Sequence, residues 1–156
     1  MGLNDEEHMR LALGEAIDAS HEGEIPVGCV VVSDGKILSR THNKREHSMD
    51  PTAHAEMLAL RESARCLSDW RLDSCTMYVT LEPCPMCAAA IVLARVRRLV
   101  FGAYDFDNGA VGSNGNTLVR PMFGWTTAVQ SGVLRLESEA LLKEFFAGIR
   151  SKRRGG

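Results

Sequence analysis

One imidazole, one carboxylate and two thiols stand out for their types and spacing: His54 and Glu56 in "DPTAHAEMLAL", then Cys84 and Cys87 in "LEPCPMCAAAI". His54, Cys84 and Cys87 make three ligands of the kinds zinc takes, and a tetrahedral zinc with three protein ligands keeps a fourth position for water. That open position separates a catalytic site from a structural one. Glu56, just beyond the imidazole, is then free to handle protons. A C-x-x-C pair can also be redox-active or half of a structural zinc site. Here no thioredoxin-like setting surrounds it, and Cys29, Cys66 and Cys75 stand alone. Those three read as small buried hydrophobes.

The surrounding pattern must bring these segments together. Asn4 with Glu7 resembles a capping box, and Met9, Ala12, Leu13, Ala16 and Ile17 follow at helical spacing. "VGCVVV" reads as a strand, and Asp34-Gly35 marks a tight hairpin into "KILSRT". Asp50-Pro51 sets up a helix start with Pro at the first position, running through "TAHAEMLALRESA". "TMYVTL" is a strand, "CPMCAAAIVLA" a helix, "RLVFGA" a strand and "TTAVQSGV" a short strand beyond a Gly- and Asn-rich loop. "SEALLKEFFAGIR" is a helix with Leu141, Leu142, Phe145, Phe146 and Ile149 on one stripe. Helices alternating with strands after a hairpin predict an α/β fold, a mixed sheet covered on both faces. His54 then lies in the first turn of its helix and both cysteines in the first turn of theirs, so two positive helix ends face one metal and favour thiolates.

The 156 residues predict a single domain over 1–156, with 45% hydrophobic and 24% charged residues as in ordinary globular chains. No apolar run reaches membrane-span length. Five cysteines, two committed to metal, suit a reducing compartment, so the chain is expected in the cytoplasm. Net charge is −2, which gives no global attraction for nucleic acid. "GIRSKRRGG" nevertheless carries Arg150, Lys152, Arg153 and Arg154 against no acid. It reads either as a phosphate-contacting arm or as a cationic cluster complementing a helix end. Phe146 can stack on a nucleotide while its neighbour Phe145 packs, and Arg150 and Arg153 would extend that face toward phosphates. His42 and His47 flank Asn43 and are candidate phosphate contacts, although surface histidines are more often idle.

The H-x-E then P-C-x-x-C pattern is the signature of zinc-dependent nucleobase deaminases. Beyond it, "EIPVGCVVV", "HNKRE", "DPTAHAEMLALR", "TMYVTLEPCPMCAAAIVLARVRRLVFGAYD", "GAVGS" and "LLKEFF" closely resemble the bacterial tRNA-specific adenosine deaminases, within the cytidine/deoxycytidylate deaminase-like family. The resemblance implies a three-layer αβα fold on a five-stranded mixed sheet, one Zn²⁺ per chain, and a homodimer acting on a tRNA anticodon loop without a nucleotide cofactor. It implies that His54, Cys84 and Cys87 hold the metal and Glu56 is catalytic. Asn43 would bond the target base or its ribose, Ile25 and Val27 would wall the pocket, the Ala55 backbone would touch the base, and Asp105 would lie near the nucleotide backbone. In one place the chain departs from the family: Gly124-Trp125-Thr126 stands where an Asn-His-Arg triplet is usual, leaving Arg120 as the remaining cation. Trp125 reads as a packed residue or as a platform for a base. Free-base deaminases share "DPTAHAE" and "EPCPMC", so a free base or nucleoside (guanine, cytosine or cytidine) is the alternative substrate.

Overall fold

β1 (Gly28–Ser33) is buried along its whole length, so it forms the middle of a sheet rather than a rim. The computed structural model describes residues 2–118 and 120–155. Its sheet has five strands in the order β2-β1-β3-β4-β5, with β2 (Lys36–His42), β3 (Cys75–Leu81), β4 (Arg98–Ala103) and β5 (Ala128–Gln130). β1 runs antiparallel to β2 and β3, whereas β3, β4 and β5 are parallel. Asp34 and Gly35 carry the β1–β2 turn with φ of 49° and 75°, the left-handed pair a tight hairpin demands.

Alternate residues face two cores. Cys29, Val31, Met77, Val79, Leu99 and Phe101 pack against α2 (Ala55–Leu67) and α3 (Pro85–Leu93) on one face. Val30, Val32, Tyr78 and Val100 pack under α1 (Asp5–His21) on the other, where α4 (Arg135–Arg154) lies beside α1. Each fully buried valine contributes on the order of 1.5–3 kcal/mol, so the central strands carry most of the sheet's stability. The result is the expected three-layer αβα mixed-sheet arrangement. Among the described residues no helix is long and apolar enough to cross a membrane.

α1 opens with the expected capping box, Glu7 N–H donating to Asn4 Oδ1 at 2.9 Å and Asn4 N–H to Glu7 Oε2 at 2.7 Å. It lies so close to β1 that a side chain on Gly28 would run into the Ala12 carbonyl. Gly28 in turn donates its N–H to Thr80 Oγ1 at 3.1 Å.

His42 is no phosphate contact: it is buried between two carboxylates of the α1 region, with Nδ1 2.8 Å from Glu15 and Nε2 3.0 Å from Glu22. Both nitrogens act as donors there only in the imidazolium form. Burial alone pulls the imidazole down, but the bonds to Glu15 and Glu22 outweigh it and raise it above its ordinary value. A raised histidine stabilises fully below its unfolded pKa of about 6.5, and that contribution is lost as pH rises through the folded value. Thermal scans from pH 6 upward should show wild type losing its margin over His42→Gln; an unchanged gap would reject the clamp.

Two local expectations are corrected and one open choice is decided. The helix expected from Pro51 begins at Ala55, because the Asp50 carboxylate accepts from Thr52 N–H at 2.8 Å and closes a turn there. Of the two readings of the basic tail, the helix end holds: α4 starts at Arg135 and continues through the tail, and Lys152, Arg153 and Arg154 form its last turn. Cys66 is exposed, unlike Cys29 and Cys75, which are buried as expected.

Candidate metal centre and its cleft

The later start of α2 changes how the metal ligands are held. His54 is the N-cap of α2 and Cys84 the N-cap of α3, both with extended backbone and neither side chain used to cap its own helix. Cys87 follows on the first turn of α3, fully buried. The two positive helix ends therefore meet at one point, as the sequence implied, but through cap positions.

The three donor atoms fit a zinc ion. Cys84 Sγ and Cys87 Sγ lie 3.6 and 3.5 Å from His54 Nδ1. A tetrahedral ion with Zn–S of ~2.3 Å and Zn–N of ~2.0–2.1 Å sets such N···S edges at ~3.6 Å. All three ligand atoms lie within 4.8 Å of one another, and no other such group occurs among the described residues. The electrostatics match a thiolate site. The Cys84 thiol is drawn down to about 4, first by its hydrogen bond with Cys87 and then, against desolvation, by His54. Cys87 is pushed up by the same bond and by burial. The pair therefore shares one proton, which an incoming divalent ion would displace.

Glu56 follows His54 by two residues on α2 and is only 4% exposed. Burial raises its carboxyl above the ordinary carboxylate value, with His54 pulling the other way. A carboxylate made more basic in this way is suited to take a proton and return it.

Around these groups opens a cleft of about 360 Å³, within the range of small-molecule sites. It lies at the ends of β3 and β4 where the chain leaves the sheet, the usual place for a ligand on such sheets. Ile25, Val27 and Ala55 line it together with His54, Glu56 and Cys84, and Asn43 and Asp105 stand at its polar side. Asn43 donates one amide N–H to Ile25 O at 3.3 Å and accepts from Arg45 N–H at 3.1 Å, so its second N–H remains uncommitted. Asp105 Oδ1 accepts from the N–H groups of Asp107 and Asn108 at 3.2 and 3.0 Å. Phe146 and Arg150 do not line the cleft; both are exposed on the far half of α4. Trp125 is packed: its Nε1–H donates to Val96 O at 3.0 Å and its ring lies against the main core.

Arg45, Leu81, Glu82, Pro85 and Asn108 also line the cleft and were not singled out in the sequence. Glu24, behind it, is 1% exposed and accepts from the N–H groups of Glu46 and His47, both at 2.9 Å. It pins the loop that follows Asn43.

Metal trio, adjacent carboxylate and cleft together suit zinc-assisted hydrolysis of a small planar group. Residues 3–103 match the cytidine and deoxycytidylate deaminase zinc-binding region, and the chain belongs to that family. It is 46% identical over 150 residues to the tRNA-specific adenosine deaminase of Bacillus subtilis, covering 96% of this chain and 93% of that protein. A solved structure from work on A-to-I editing by tRNA:A34 deaminases superposes with a TM-score of 0.84 at 43% identity, covering 87% of this chain and 99% of that one. A guanine deaminase from Nitrosomonas europaea matches at 25% identity and a TM-score of 0.78, covering 94% and 86%.

Proposed function

We propose that this chain is a hydrolytic, zinc-dependent deaminase that converts adenosine to inosine at the wobble position of tRNA. The observation that carries the reading is the coincidence of the metal trio and buried Glu56 with near full-length likeness to a tRNA-specific adenosine deaminase. The free-base alternative is disfavoured, since the guanine deaminase is much the more distant in sequence.

His54, Cys84 and Cys87 hold the ion. When bound it supplies a Lewis acid that makes water at its open position a nucleophile at neutral pH. The Glu56 carboxylate takes a proton from the water attacking C6 of adenine and passes it to the ring nitrogen. The carboxylate, free again, takes the second proton from the new C6 hydroxyl and gives it to the departing amine as the C–N bond breaks and the carbonyl forms, so that adenosine and water become inosine and ammonia. Ile25 and Val27 wall the base and exclude water. The Asn43 amide offers its free N–H to the base or ribose, and Asp105 stands toward the nucleotide backbone. Phe146 and Arg150, outside the cleft, meet flanking nucleotides. The protein acts as one deaminase domain in the cytoplasm and pairs as a homodimer, which light scattering distinguishes from a 17.1 kDa monomer.

Inosine formation in tRNA, set against ammonia release from free guanine and cytosine, tests the reading. Activity on the free bases with none on tRNA at low salt would reject it. The basic end of α4 supplies part of the phosphate contact, so truncation after Ile149 should weaken tRNA deamination about 10-fold and flatten its salt dependence. An unchanged rate and salt slope would remove the tail from the substrate site.

A further inference from the structure

Glu82 directly follows β3 and is 2% exposed, yet among the described residues it makes no ion pair. A buried carboxylate without a cation is costly unless hydrogen bonds replace its water. Here they do, and all come from one loop. Oε2 accepts the N–H groups of Val111 and Ser113, both at 3.1 Å. Oε1 accepts the Asp105 N–H at 3.3 Å and the Ser113 hydroxyl. Gly109, in the same loop, has no room for a side chain beside this carboxylate.

The loop is otherwise folded on itself around Asp105, whose carbonyl accepts from Gly109 N–H at 2.8 Å and whose Oδ1 takes the two N–H groups noted above. Glu82 is thus the side chain that fixes this turn to the sheet beside the metal ligands. We propose that Glu82 is a positioning residue whose carboxylate, by hooking the Asp105 N–H, sets where the Asp105 side chain meets the RNA. The inference rests on the reading of the chain as an RNA deaminase.

The geometry supplies a selective variant. In Glu82→Gln the amide oxygen keeps Val111 and Ser113 N–H, and the amide nitrogen donates to the Ser113 hydroxyl turned to accept. The Asp105 N–H alone among the loop's donors loses its acceptor, and it meets the second amide N–H in place of a lone pair. Deamination of an anticodon stem-loop RNA by Glu82→Gln, Asp105→Ala and the double variant, with zinc content measured in each, is the test. Glu82→Gln should keep one zinc per chain and a kcat within about 3-fold of wild type, while KM rises about 10-fold. Asp105→Ala should raise KM similarly, and the double variant should be no worse than Asp105→Ala alone. Multiplying effects, an unchanged KM or loss of zinc would each overturn the proposal. Wild type failing on every RNA would sink the functional reading instead. Glu82 is then judged by amide exchange: Asp105 N–H must exchange faster in Glu82→Gln while Val111 and Ser113 stay protected, and unchanged exchange at Asp105 refutes it.

Discussion

Glu56→Ala is expected to keep its zinc and its fold while losing turnover by a factor of at least about 10²–10⁴, the range for a positioned acid–base group. The carboxylate is not among the three donors that meet at the metal, so the ion's protein ligands are untouched. Its side chain is buried, but it sits at the cleft, and alanine there enlarges the cleft rather than opening a void in the main core. Metal analysis with single-turnover kinetics on RNA checks both halves. A variant keeping a tenth of the wild-type rate would mean that another group moves the proton.

Cys87→Ser should do the reverse, removing metal first and activity as a consequence. Cys87 is fully buried between the cleft and the core face of α3, and two donors remain without it. Zinc binding is coupled to folding, so thermal stability should fall with zinc content. A chelator should lower the melting temperature of wild type but leave the variant unmoved. Because burial and the bond to Cys84 hold the Cys87 thiol up, metal loading must release protons. Wild-type zinc retention against a fixed chelator should therefore weaken as pH falls. A variant with one zinc per chain would show that Cys87 is not a ligand.

The chemistry of the site was legible because its donors are rare residue types at fixed spacing, and the helix-start patterns around them are local. Asn4 with Glu7 and Asp34-Gly35 were readable for the same reason. What the sequence hid is carried by backbone. Glu24 and Glu82 bond main-chain N–H groups, which have no residue type, so nothing along the chain distinguishes them from surface glutamates. The start of α2 was misplaced because Asp50-Pro51 suits a capped helix and an Asp-closed turn equally well. Cys66 continues the apolar spacing of α2, but the last turn there, Arg65 to Leu67, is exposed on every side. Arg150 lies in the helix where the sequence put it, but nothing along the chain told that the far half of α4 stands away from the cleft.

Gly28 has a consequence for anyone reading inactive alleles of this gene. Alanine there would force α1 off β1, and α1 brings Glu15 and Glu22 to His42. Val27, the cleft wall, precedes it directly, and the Val27 carbonyl takes the N–H of Asn43 at 3.0 Å. One methyl group on the far side of the sheet therefore reaches the base pocket through neighbouring backbone. In a selection for lost activity, changes at 28 and at 56 would fall in one phenotypic class. One breaks the mould and the other the reagent, and only the folded yield of the purified protein tells them apart.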